Sequence, residues 1–388
     1  MKILFINLPY HGHVIPTIGL GQELVKQGCD VTYLMPFGWE DKDVESGAVF
    51  HGDQNHRQLS EQIKNVYAVA ESIIEQFDFV IYEQFFFLGK HLAEKHNKSV
   101  ARIFTAPVTN EKLMQEFITA KGPLSIFKHK WITRAFTKDI VKACDAACYM
   151  KTDSWLEEII HNPPELNLVY TLREYQPYAE EFPEEQYRFL GPSIYERKEA
   201  DFGFVKGDNC VVYISLGTVI KGATSFFQNC VECFRNTNED VIISVGKQFD
   251  IKKLKNVPTN VHIYSSVPQL TVLKMADVVV THGGKNSVSE ALSSSTPMVV
   301  IPFVSDQPVN ARCVEKLGVG KCLKYSDATK EMLREFINAV YYDSDIRRNL
   351  KEVQKLIEEA PGNVGAAKIL MEHYYKQNTM SRDNNREL

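Results

Sequence analysis

A chain of 388 residues, 44% hydrophobic and 24% charged, has the size and composition of a globular protein with two domains of ordinary length. Its net charge of −5 gives no basic footprint for nucleic acid. No apolar run approaches the ~18 residues of a membrane span, and Ile3-Leu4-Phe5-Ile6 after Met1-Lys2 is too short for a signal peptide, so a cytoplasmic protein without an integral membrane segment is expected.

Lys2–Leu8 reads as a first strand, Pro9–His13 as a loop and Pro16–Lys26 as a helix, with Pro16 in its first turn and Gly28 just past its end. Val31–Met35 is the next strand and completes a right-handed βαβ unit. The pattern is helical between Asp53 and Gln76. Phe79–Tyr82 and Val100–Thr105 are further parallel strands, separated by a helix around Leu88–His96. Asn110–Thr137 has helical spacing with many aromatics and lysines, and Ala146–Met150 and Leu168–Tyr170 read as short strands.

From Tyr175 to Asn209 the character changes to prolines, glycines and dense charge, and Leu190–Gly207 is taken as an interdomain linker. The α/β rhythm then restarts with strands at Val211–Leu216, Val241–Val245, Val261–Tyr264, Val278–Thr281 and Met298–Ile301. Cys230-x-x-Cys233 lacks a second pair and falls in a helical segment, so packed or surface thiols are expected rather than zinc or redox chemistry. A helical stretch Ala366–Tyr375 precedes a polar tail, 377–388, expected to be disordered. The alternation implies an α/β protein of two facing, doubly wound, Rossmann-like domains, 1–200 and 201–376.

The most informative stretch is Val278–Glu290, VVVTHGGKNSVSE. A buried strand, a glycine turn and a helix start together make an anion site, because amide N–H groups and the positive end of the helix dipole converge where glycines permit close approach. His282 can add a donor to the same phosphate, and Glu290, one turn into the helix, suits ribose hydroxyls. The same residues also fit a plain capping box, with Ser287 as N-cap and Glu290 returning to its amide.

Residues 266–320, beginning SVPQLTVLKMADVVVTHGGKNSVSE and continuing through PFVSDQPVNARCVEKLGVG, resemble the donor-binding signature of family 1 glycosyltransferases. These are nucleotide-sugar enzymes of the GT-B fold, with an interdomain cleft. Gly12-His13-Val14-x-Pro16 and the chain length resemble their bacterial macrolide/flavonoid glucosyltransferase branch.

The resemblance implies an inverting, metal-independent transfer of a sugar, glucose for preference, from a UDP-sugar to a hydroxyl of a small hydrophobic acceptor, with no cofactor. It places Val267 and Gln269 at the uracil, His282 with Gly284 at the pyrophosphate, and Asn286 and Ser287 at the phosphates. Glu290 falls at the ribose, and Asp306 and Gln307 at the sugar hydroxyls. Gly217 and Thr218, in Ser215-Leu216-Gly217-Thr218, resemble a second phosphate loop. Asp306-Gln307 could equally be a solvated turn before a helix.

His13 matches the catalytic base, a neutral imidazole that takes the acceptor proton; the alternative is a loop histidine capping the following helix. The family usually carries an aspartate as partner of the base, where this chain has Glu83, itself readable as an ordinary strand-end carboxylate. Phe85-Phe86-Phe87 could line an apolar acceptor pocket or lie in the core. A GT-B epimerase or phosphorylase, and a non-catalytic partner of another transferase, are the competing functions.

Overall fold

The computed structural model describes residues 1–39, 47–53, 58–120, 123–195, 197, 199, 201–217 and 223–384. The chain divides into two units, Met1–Glu196 with Ala360–Leu388, and Arg197–Glu359.

In the first unit the described strands are β1 (Lys2–Ile6), β2 (Asp30–Pro36), β3 (Val49–Asp53), β4 (Phe79–Glu83), β5 (Ser99–Phe104), β6 (Asn167–Val169) and β7 (Tyr187–Phe189). All pair in parallel, in the order β3-β2-β1-β4-β5-β6-β7. Side chains alternate between faces. Ile3 and Phe5 join one apolar cluster with Tyr33 and Ile81, while Leu4 and Ile6 join another with Leu34 and Val80. Because helices cover both faces, these strands are unbroken apolar runs and not alternating ones.

The second unit repeats the plan with β8 (Val211–Ser215), β9 (Asp240–Ser244), β10 (Val261–Tyr264), β11 (Val278–Thr281), β12 (Met298–Val300) and β13 (Gly320–Cys322), in the parallel order β10-β9-β8-β11-β12-β13. In each sheet the order reverses between two central strands, β1 and β4 in one, β8 and β11 in the other. That reversal opens a crevice at the carboxyl ends of the strands, where open α/β sheets take their ligands.

Five expectations change. Residues from Ala360 onward pack with the first unit, whereas the sequence reading ran the second domain to 376. The helix Gly362–Asn384 buries Ala366, Ala367 and Leu370 in the same cluster as Ile18 of the helix His11–Lys26, and the Ser193 hydroxyl donates to Asn363 Oδ1 at 3.1 Å. That final helix runs to Asn384, through most of the tail expected to be disordered; 385–388 lie outside the described residues.

Ala146–Met150 is a 3-10 turn, Ala147–Tyr149, and not a strand, because Asp145 takes a left-handed φ of 48° that ends the helix Lys130–Ala143 and starts a tight turn. The first helix begins at His11, not at Pro16. Pro16 sits inside it, where its missing N–H leaves the Gly12 carbonyl without the usual helical donor.

The segment read as a linker is bound to the second unit in its later part. Phe202 packs on Tyr264 and Phe204 on His262 of β10, while Lys206 donates to Asp277 at 2.8 Å. Cys230 and Cys233 are buried free thiols on the helix Thr224–Cys233. Among the described residues no helix is long and apolar enough to cross a membrane.

Candidate active site

Each central reversal carries one group of the residues singled out from the sequence. In the first unit, β1 leads into the helix that holds His13 on its first turn, and β4 ends at Glu83. The structure brings these two together, with His13 Nδ1 2.7 Å from Glu83 Oε1. Glu83 is fully buried, and its second oxygen accepts from the Phe85 amide at 3.1 Å. A carboxylate only accepts, so the imidazole proton facing it sits on Nδ1 and Nε2 is the basic nitrogen.

Tyr10 is the N-cap residue of the helix, so His13 is not its cap. The Tyr10 and Phe85 rings flank the imidazole at 5.5 and 5.1 Å. Burial, reinforced by the Glu83 charge, raises the Tyr10 phenol above its ordinary range. Phe86 and Phe87 are core residues, and Phe85 meets His13. His11 is exposed and packs against Trp39.

In the second unit, β8 leads to Gly217 and β11 leads to His282-Gly283-Gly284; Thr218 lies outside the described residues. Gly283 has a φ of 82°, and a Cβ there would stand 2.6 Å from Val300 Cγ1, so only glycine makes this turn without strain. Gly284 is the N-cap residue of the helix Lys285–Ser293 and brings no side-chain cap. The first-turn amides, including those of Asn286 and Ser287, therefore have no intrahelical acceptor. With Ser287 inside the first turn, the capping box does not form. Glu290 is buried, and its carboxylate accepts from Arg197 Nη1 at 2.9 Å and Gln269 Nε2 at 2.6 Å.

The His282 ring is gripped by glycine backbone. A Cβ on Gly217 would lie 2.6 Å from its Cε1, and one on Gly284 2.5 Å from its Nε2. Gly284→Ala is therefore expected to displace the ring and to cost about 1–3 kcal/mol, as overpacking in a dense interior does. A urea denaturation series and a UDP titration would check both consequences, and unchanged stability with unchanged affinity would mean the ring relaxes freely. Burial pushes the His282 pKa down to about 4. The ring is neutral at pH 7, a hydrogen-bond donor and not a source of charge.

The charge in this turn sits on Lys285, which the sequence reading passed over. Its ammonium is buried and donates to Ser289 Oγ at 2.6 Å. Burial lowers its pKa to about 8, against the opposing pull of Asp306.

Asp306 stands at the start of the helix Gln307–Lys316, where Asn310 Nδ2 donates to its carboxylate at 2.8 Å and to the Gly283 carbonyl at 2.9 Å. Gln307 is buried, and its Oε1 accepts the Phe303 and Val304 amides, so the pair is a built turn and not a solvated one. Val267 is half-buried before the helix Gln269–Met275. Gln269 is already committed, accepting from Tyr213 Oη at 3.1 Å while it donates to Glu290. Tyr213, Arg197 and Asn310 are the further members that sequence reasoning missed. Arg197 lay in the charged linker, and the other two carry no local signal.

Residues 196–363 match the family model described as UDP-glucoronosyl and UDP-glucosyl transferase. The chain is 32% identical, over 98% of its length and 99% of the relative's, to the uncharacterized UDP-glucosyltransferase YojK of Bacillus subtilis (strain 168). It is 31% identical to the NDP-glycosyltransferase YjiC of Bacillus licheniformis, over 94% of this chain and 96% of that one. A solved structure, the glycotransferase of kitacinnamycin, superposes with a TM-score of 0.82 at 25% identity, covering 96% of this chain and 99% of that one.

Proposed function

The chain belongs to the UDP-glucoronosyl and UDP-glucosyl transferase family and has its GT-B fold, and from that premise we propose an inverting, metal-independent transfer of glucose from UDP-glucose to a hydroxyl of a small hydrophobic natural product. The observation that supports it best is the His282 ring set between Gly217 and Gly284 at a helix start without a side-chain cap, a place shaped for a diphosphate.

In this mechanism His13 Nε2 takes the acceptor proton as the oxygen attacks the anomeric carbon, and Glu83 stabilises the imidazolium that forms. The bond to UDP breaks on the opposite side, which inverts that carbon. The first-turn amides, the helix dipole and the neutral His282 N–H meet the charge on the departing diphosphate. Glu290 takes the ribose hydroxyls, and Asp306 with Gln307 takes those of glucose.

A cavity of about 320 Å³ in the first unit is lined by Met114, Ile118 and Phe127 together with charged groups such as Lys128, Arg134 and Glu157; neither His13 nor Phe85 borders it, so it is not the place where an acceptor would meet the base. The natural-product class is suggested by the kitacinnamycin enzyme.

UDP is expected to stabilise the protein with a chelator present, by about 2.7 kcal/mol at a hundredfold excess over its dissociation constant. Thermal unfolding with UDP in EDTA tests this. No shift, or a shift only after magnesium is added, would reject the donor site as described.

A further inference from the structure

Glu290 does not stand alone. Arg197 reaches it with Nη1 at 2.9 Å and holds Glu199 Oε1 with Nε at 3.1 Å. Glu199 in turn accepts the amides of Leu270 and Thr271, at 3.1 and 2.8 Å, and the Thr271 hydroxyl at 2.8 Å. It thereby caps the helix Gln269–Met275, whose own N-cap residue, Pro268, offers no side chain for the purpose. Gln269 at the head of that helix donates to the other Glu290 oxygen at 2.6 Å and is itself held by Tyr213. The ring of contacts is closed: Arg197, Glu199, helix start, Gln269, Glu290, Arg197.

The side chains are mostly withdrawn from water, with 19% of Arg197, 12% of Glu199 and 7% of Glu290 exposed. The direction of a carboxylate so placed is set by the donors that hold it. Two oxygens offer about four acceptor positions. Arg197 and Gln269 take one on each, which leaves one further position on each oxygen for a pair of vicinal hydroxyls.

We propose that Arg197 is a positioning residue that makes the donor site select ribonucleotides over 2′-deoxyribonucleotides, by fixing Glu290 so that its remaining lone pairs meet the 2′ and 3′ hydroxyls together. The inference rests on Glu290 facing the ribose, as in the function proposed above. A 2′-deoxy donor leaves one aimed, charged acceptor without its hydroxyl, which corresponds to roughly tenfold to a hundredfold in affinity. Lysine cannot replace Arg197, because a single ammonium lacks the fork that spans Glu199 and Glu290 at once.

The test is calorimetric titration of UDP and 2′-deoxy-UDP into the wild type, Arg197→Ala and Arg197→Lys, with circular dichroism to confirm folding. The wild type is expected to prefer UDP by roughly tenfold or more. In both variants that preference should collapse towards unity, with the loss falling on UDP. If Arg197→Ala fails to fold, Arg197→Lys, which keeps the charge, carries the comparison. A folded Arg197→Lys that keeps the full preference, or that loses both nucleotides equally, makes Arg197 a structural brace and overturns the proposal. A wild type that binds UDP and 2′-deoxy-UDP alike also overturns it and leaves the UDP site standing, whereas a wild type that binds neither removes the donor site itself.

Discussion

His13→Ala is expected to lower transfer to an alcohol or a neutral phenol by about 10²–10⁴-fold, the usual worth of a positioned general base, with UDP affinity unchanged. The imidazole lies in the first unit, at its central reversal, and the groups assigned to the nucleotide lie in the second. Its 2.7 Å bond to Glu83 sets the tautomer that leaves Nε2 basic. The deficit should shrink for an acceptor already ionised at assay pH, which has no proton to give up.

Glu83→Gln sharpens the test. Glu83 accepts from both His13 and the Phe85 amide, and a carboxamide has only one acceptor oxygen. If that oxygen keeps Phe85, the amide NH₂ faces Nδ1 and drives the proton to Nε2. Turnover should fall, though less than in His13→Ala, because the imidazole remains. His11→Ala, an exposed ring on Trp39, should change little. Steady-state kinetics with paired neutral and ionised acceptors would decide, and full activity of His13→Ala towards neutral acceptors would remove His13 as the base.

How much of this was legible in the sequence follows from burial. β1, β4, β8 and β11 are sheet-centre strands covered on both sides, so they appear as continuous apolar runs. β3, β7 and β13 lie at sheet edges, and a short run such as Gly320-Lys321-Cys322 carries no apolar signal. Strand order is invisible to periodicity, so the placement of His13 with Glu83, and of Gly217 with His282, at the two reversals could come only from the pairing of strands.

His282, Gly284, Asn286, Ser287 and Glu290, assigned above to the donor, were legible because they fall within one strand–turn–helix stretch. Arg197 was not, since its charge lies in a proline-rich, irregular segment, and its partner Glu290 is 93 residues away. The helix start was misplaced because Pro16 suits a first turn; here tertiary packing outweighs that preference, and Asn7 Nδ2 holds Thr17 Oγ1 at 2.9 Å in the core.

Acid should weaken the second unit through His282, the histidine proposed to meet the diphosphate. In an unfolded chain a histidine takes its proton near pH 6.5, but burial holds His282 unprotonated down to about pH 4. Between these values the unfolded state binds more protons than the native one, so lowering the pH favours unfolding. The loss begins below pH 6.5, is complete below about pH 4, and amounts to about 3 kcal/mol for this one group. His91 adds a similar liability in the first unit, where burial also drives its pKa to about 4 and Tyr67 Oη lies 3.0 Å from its Nε2.

His282→Gln separates the two contributions. It should be less stable than the wild type at pH 7, through lost packing against Gly217 and Gly284. Its stability should then fall less steeply with acid, by close to one proton at pH 5. Urea unfolding followed by circular dichroism from pH 7 to pH 4 gives both slopes. Parallel slopes would show that His282 takes up its proton at the same pH in the native and unfolded states, and burial would then not depress its pKa.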